Sequence, residues 1–247
     1  MRSYDLHFFP YPPLYLLAFF LLLGLLLVLL QLRLISYAYE RVGLSRRAAL
    51  WVLFGTLLGS GVNFPVAELP AERIVQPQIV TFFGMQYVIP TVVERHGTVV
   101  AVNVGGALIP SLVVLYLIRR DGLRGRTVLA LAVVTGVVHL LAQPIRGVGI
   151  ALPPLLPSIV TAAVALLVDR DTAPRTAFIA GTLGTLIGAD LLNLGIVQAL
   201  GAPVVSIGGA GTFDGVFLIG IIAVLLAALP SRRRDKAQGR AIESPSR

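Results

Sequence analysis

The chain has no cysteine. That excludes a disulfide framework, a thiolate metal site, an iron–sulfur cluster and a cysteine nucleophile. Charge is scarce as well: 13% of the 247 residues are Asp, Glu, Lys or Arg, against roughly 25% in an ordinary soluble domain. Histidine occurs three times, and no HExxH pattern exists to hold a catalytic zinc. What remains is 56% hydrophobic, with a mean hydropathy of +0.87. A water-soluble globule and a disordered chain are both incompatible with that balance. No cofactor is implied.

Seven apolar stretches run at about 13–34, 47–69, 97–118, 127–143, 150–168, 176–199 and 213–230. A membrane span needs about 20 residues, so the expectation is an all-α, polytopic bundle of about seven transmembrane helices, a single domain over 1–230. The first stretch has no charge from Leu14 to Leu30, and Arg33 and Arg41 follow it. A cleaved signal peptide has a shorter apolar core, about 7–15 residues, with its positive charge in front. The first stretch therefore reads as an uncleaved span. Segment 176–199 carries a GxxxG spacing at Gly184 and Gly188, a pattern that lets helices pack closely in lipid.

The net charge of +8 is a topology signal. Of the 20 Lys and Arg residues, 16 fall in alternate loops and the C-terminal tail: 33–47, 119–126, 170–175 and 232–247. By the positive-inside rule those segments are cytoplasmic, giving N-out, C-in. Membrane lipid is the expected partner. A nucleic-acid partner is not expected, because no basic stripe carries interleaved aromatics. Segment 70–96 then lies outside the cell. Its Val/Ile/Phe/Tyr-rich core with Gly84 near the middle reads as a small β-hairpin, with Pro77 and Pro90 limiting its strands to edges or ends. The polar tail 231–247 reads as a disordered cytoplasmic extension.

Polar side chains inside the apolar stretches are the candidates for function. Asn63, Asn103, His139, Gln143, Asn193, Asp190 and Asp214 all count into the outer half of the membrane, at about 1.5 Å per residue. They imply one polar cavity open to the outside. Asp190 and Asp214 are the two acidic residues at membrane depth. Asp214 can also cap the last helix. Asp190 sits mid-helix in GTLIGADLLNLG, and Gly209 and Gly211 precede Asp214 in SIGGAGTFDG.

The runs GVNFP (61–65), AVNVGGALIP (101–110), GVGIALPP (147–154), GTLGTLIGADLLNLG (181–195) and SIGGAGTFDG (206–215) resemble an uncharacterised prokaryotic multi-pass membrane family, the domain of unknown function numbered 1614. That resemblance covers about Gly59 to Gly220. It implies the architecture and a prokaryotic inner-membrane location, and brings no activity. The paired aspartates also resemble the GxGD-type intramembrane aspartyl proteases. That likeness implies Asp190 and Asp214 as a catalytic dyad acting on a transmembrane peptide, although GAGTFD departs from GxGD. Two close carboxylates share a proton, so one serves as acid while the other activates water. An ion- or proton-coupled transporter, a metal site at His139 and a lipid-binding scaffold remain open as alternatives.

Overall fold

The structure, a computed structural model, describes residues 13–70, 72–82, 85–95, 97–145, 149–153, 155–197, 203–209 and 215–242. The fold is mostly helical. Seven α-helices of thirteen residues or more are present among the described residues: α1 (Pro13–Val42), α2 (Arg46–Gly59), α3 (Ile109–Asp121), α4 (Gly125–Leu141), α5 (Leu155–Val168), α6 (Ala173–Thr185) and α8 (Gly215–Ile242), with a four-residue α7 at Leu194–Val197. Among the described residues two stretches, Leu16–Val42 and Ala173–Ile196, are long and apolar enough to cross a membrane by length and composition.

The all-α expectation needs correction. Strands β1 (Asn63–Leu69), β4 (Thr98–Asn103) and β7 (Val204–Ile207) form a three-stranded sheet in the order β1-β4-β7. The apolar stretches at 47–69 and 97–118 are therefore each part helix and part strand. Composition gives the reason. Helix α2 stops at Gly59, and the stretches TVVAVN and VVSI are rich in β-branched residues, which favour a pleated, half-buried surface. Strand β1 runs antiparallel to β4, pairing Asn63 with Asn103, and its register slips between Pro65 and Ala67. Proline lacks an N–H, so a bulge on an edge strand suits it. Strands β4 and β7 are parallel, with Val99 opposite Val204. The expected hairpin over 70–96 is present as β2 (Glu72–Phe82) and β3 (Met85–Arg95), with Pro77 opposite Pro90. Residues 143–151 add a short pair, β5 (Gln143–Ile145) with β6 (Gly149–Ala151). Helix α8 continues past Pro230 to Ile242.

Helix α6 is the hub. Eleven of its thirteen residues are buried, three of them threonines. Phe178 and Ile179 pack with Tyr39, Val114, Leu117 and Val224 from α1, α3 and α8. Ala173 and Ala177 meet alanines of α5 and α8. Ala180 and Ala189 meet Ala130, Val134 and Val138 of α4. Small residues bring the backbones together. A methyl on Gly184 would meet Val134, one on Gly188 would lie 2.5 Å from the Thr135 carbonyl oxygen, and Gly181 lies against Gly220 of α8. Helix α1 behaves differently: its most apolar window has no buried residue, and it joins the bundle only near Ala38, Tyr39 and Val42.

The arginine-bearing turns gather at one end. Helix α1 ends in a Schellman motif, with Leu44 N–H donating to Tyr39 O and Gly43 N–H to Glu40 O, at Gly43 φ +107°. The Arg120 guanidinium donates to the Gly43 carbonyl. Arg175 donates to Leu117 O in the last turn of α3 at 3.0 Å and to Gly122 O just past its end at 2.9 Å. Asp169 accepts from the Thr172 hydroxyl at 2.7 Å and lies 3.7 Å from Arg124. The three loops expected on one side of a membrane thus share one end of the bundle.

Two predictions follow from this packing. A methyl on Gly105 would collide with the Thr56 carbonyl and the Ser60 backbone of α2, whereas Gly136 of α4 has open space around it. Gly105→Ala should lose about 1–3 kcal/mol by overpacking, and Gly136→Ala should be neutral or gain up to about 1 kcal/mol of helix propensity, read by thermal unfolding in detergent. The second prediction concerns acid. Burial of Asp169 pushes its pKa up, but donation from Thr172 together with nearby Arg124 and Arg126 outweighs this and holds the carboxyl below its ordinary value. A depressed folded value contributes stability above the unfolded value, about 3.9, that is lost as pH falls through the folded one. Asp169→Asn should therefore be less stable at neutral pH and show a flatter stability profile below about pH 4.

Candidate functional site

The sheet and the two distorted helices build the site. Immediately after β4 the chain forms a π-helical turn, Val104–Leu108, which runs into α3. The Asn103 side chain caps it, with Oδ1 accepting from Gly106 N–H at 2.7 Å. After α6 a second π-turn, Leu186–Asp190, passes through a short 3-10 turn, Leu191–Asn193, into α7. π-turns inside helices recur at functional sites because they offset the backbone register.

Asn63 and Asn103 meet directly. Asn103 Nδ2 donates to Asn63 Oδ1 at 3.0 Å and to Ser60 O at 2.8 Å. Asn103 is 1% exposed, so its amide needs these partners. The Ser206 hydroxyl, on β7, reaches the same Asn63 oxygen and also Gly209 O at 2.7 Å. Beyond β7 the chain turns sharply, with Gly209 N–H donating to Ser206 O at 3.1 Å. Gly208 and Gly209 both have φ +86°. Positive φ at the third position of such a turn selects glycine. Crowding selects it again: a methyl on Gly208 would lie 2.6 Å from Ala107 in the first π-turn.

The second π-turn supplies the carboxylate. Asp190 Oδ2 accepts from Gly208 N–H at 2.7 Å. The Gly208 peptide is thus held between the two π-turns, packed on one and hydrogen-bonded to the other. On the far side of Asp190, Asn193 Nδ2 donates to Gly188 O at 3.0 Å and Ala189 O at 2.9 Å. Both carbonyls belong to the irregular turn itself, so the Asn193 side chain ties the turn to the residues that follow it. His139 Nδ1 lies 3.2 Å from Gly188 O and 3.3 Å from Asn193 Nδ2. Protonated at Nδ1, it donates to the carbonyl; unprotonated, it accepts from the amide.

Of the sequence-derived candidates, Asn63, Asn103 and Gly209 fall in one cluster and Asp190, His139 and Asn193 in another, joined by the Ser206–Gly209 turn. Gln143 stands apart, exposed in β5 opposite Ala151. Asp214 and Gly211 lie outside the described residues. Ser60, Ser206 and Gly208 complete the network; Ser60 and Ser206 were not singled out from sequence, and Gly208 stood out only as one of the glycines before the last helix. Ser206 had one signal, a lone hydroxyl in an apolar strand. Ser60 acts through its backbone carbonyl, which no side-chain reading detects. Among the described residues no group of three or more His, Asp or Glu gathers as metal ligands.

These features define a mostly helical chain whose helices are interrupted at a polar network near a small sheet. The chain belongs to the family described as "Protein of unknown function (DUF1614)", whose model matches residues 57–226. No curated protein and no solved structure matches it. Every candidate residue lies inside the matched range, whereas α1 lies outside it.

The Asp190–Gly208 contact generates a prediction. Asp190→Ala leaves a buried N–H without its acceptor and should destabilise by about 1–3 kcal/mol. Asp190→Asn keeps an acceptor oxygen and should stay within about 1 kcal/mol of the parent. Thermal unfolding of the two variants side by side checks it.

Proposed function

We propose that the protein is a multi-pass membrane protein of the prokaryotic inner membrane, with seven spans, N-out and C-in, and that it hydrolyses peptide bonds of membrane-embedded substrates with an Asp190/Asp214 pair. The gathering of the arginine-bearing turns at one end of the bundle supports the orientation. Helix α2 extends about 21 Å at 1.5 Å per residue, less than the hydrocarbon thickness of about 30 Å. The spans of this reading therefore include the β1-β4-β7 sheet and the π-turns, irregular backbone that is tolerated at depth when protein surrounds it.

One observation carries the hydrolytic reading: the Asp190 carboxylate accepts from the backbone N–H that follows β7. Among the described residues, strand β7 lies at an edge of its sheet, paired with β4. An unwound substrate adds to such an edge through main-chain hydrogen bonds, which brings an extended peptide next to Asp190. Asp214 follows six residues after Gly208. In the reaction one carboxylate takes a proton from water, and the water oxygen bonds to the scissile carbonyl carbon. The other carboxyl protonates the carbonyl oxygen. As the tetrahedral diol collapses, it returns a hydroxyl proton to the second carboxylate, the C–N bond breaks, and the departing nitrogen takes the proton that the first carboxylate drew from water.

Transport is the second reading. What favours it is that two interrupted helices converge on a single polar turn, the geometry of ion sites at broken helices. The test separates the two. The purified protein, reconstituted in liposomes with single-span peptides containing helix-breaking residues, should release cleaved fragments detectable by mass spectrometry. Asp190→Asn and Asp214→Asn should each cut the rate by about 10²–10⁴-fold with unchanged unfolding temperature. Proton or cation flux without cleavage, falling in graded fashion in the same variants, favours transport.

A further inference from the structure

A groove lies between α1, the start of α2 and α8. Its volume is about 790 Å³, and its lining includes Leu30, Leu50 and Leu229 together with Arg33, Arg46 and Glu40. That size falls within the roughly 300–1,000 Å³ of ordinary ligand clefts. Helices α1 and α8 pack together in the cluster that holds Ala38, Tyr39, Ile221 and Val224. Beside that contact they part, and the three leucines of the groove are left exposed.

The charge of the groove has one sign in excess. Arg33 and Arg46 supply two guanidinium groups against the single carboxylate of Glu40. Among the described residues, neither Arg33 nor Arg46 makes a side-chain hydrogen bond or an ion pair. Arg41, Arg120, Arg124 and Arg175 differ, since each has a partner inside the protein. Arg46 opens α2, but that helix end is already capped by Ser45, which accepts from Ala48 N–H. The site therefore does not depend on a helix terminus. Helix α8 continues past Leu229, and its sequence carries Arg232, Arg233 and Arg234 there, about one turn further on at 1.5 Å per residue. Three separate segments thus bring arginine to one apolar groove.

We propose that this groove holds an anionic phospholipid, with its acyl chains along the leucines and its phosphate at Arg33 and Arg46. Arginine forks match the oxygens of phosphate bidentately, and acyl chains cover apolar walls that a soluble phosphate compound would leave bare. A second copy of the chain in the same membrane would bring its own arginines to the same level, where like charges repel. In the orientation proposed above this end faces the cytoplasm, where the membrane surface carries anionic headgroups. The binding chemistry of the groove depends neither on that orientation nor on hydrolysis.

The experiment uses the full chain in a neutral detergent. Phosphatidylglycerol and phosphatidylcholine with the same acyl chains are titrated separately in mixed micelles. Native mass spectrometry counts retained lipid, and the thermal midpoint reads stabilisation. The expected result is saturable retention of phosphatidylglycerol in preference to phosphatidylcholine. Arg33→Gln and Arg46→Gln should each weaken it about fivefold, and Arg119→Gln, on exposed surface outside the groove, should leave it unchanged. A second measurement locates the acyl chains. Trp51 is the single tryptophan, and it is exposed outside the groove lining. Leu34→Trp in a Trp51→Phe background moves the reporter into the groove wall. Phosphatidylglycerol with brominated chains should quench that reporter at lower concentration than brominated phosphatidylcholine, whereas the two should quench Trp51 of the parent alike. Equal retention of the two lipids, undiminished retention in folded Arg33→Gln and Arg46→Gln, or the same lipid preference at Trp51 as in Leu34→Trp overturns the proposal. So does a dimer that phosphatidylglycerol fails to disperse.

Discussion

The interior organisation depends on the hydrogen bond from Gly208 N–H to the Asp190 carboxylate. In a chain with so little charge, an interior polar group must find its partner within the protein, because an unsatisfied one costs about 1–3 kcal/mol. The π-turn at Leu186–Asp190 turns a carboxylate toward the end of β7. The positive-φ turn at Gly208 turns an N–H back toward it. Each irregularity satisfies the other, and the sheet is thereby fixed to the helical bundle. Asn103 serves the first π-turn by accepting from a first-turn N–H that no helix pairs internally, and Asn193 serves the second by donating to two of its carbonyls.

That arrangement requires close backbones, and α6 provides them. Its glycines allow α4 and α8 to approach on two faces, while Phe178 and Ile179 fill the third. The distorted end of α6 is therefore held by a rigid shaft. The arginine-rich turns hold the opposite end, where guanidinium groups reach carbonyls of neighbouring turns rather than solvent alone. A polar network at one end and an arginine-rich cluster at the other are places among the described residues where this apolar chain departs from simple packing. Each is where chemistry is to be sought.

Much of the helical fold was legible because apolar stretches of about twenty residues have few alternatives. The hairpin over 72–95 was legible from β-branched content around a central glycine. The β1-β4-β7 sheet was not. Its strands are short apolar runs continuous in composition with the helices beside them, and strand and buried helix look alike at that length. The parallel pairing of β4 with β7 joins residues about a hundred positions apart, which no local pattern encodes. Within the site, Asp190, Asn103 and Asn193 stood out as polar groups in apolar surroundings. Ser60 and Gly208 act through the backbone and carry no such mark. Gln143 stood out equally and lies on exposed surface, because α4 ends before it.

The account rests on Asp190 having a carboxylate partner at Asp214. The most direct measurement is the carboxyl–carboxyl distance between these residues, determined by electron cryo-microscopy of the full chain in lipid nanodiscs. A hydrolytic pair predicts carboxyls near enough to hold one water by hydrogen bonds of about 2.6–3.2 Å each. A separation beyond about 10 Å, too wide for one water to bridge, with an ion or a continuous path beside His139, would contradict it.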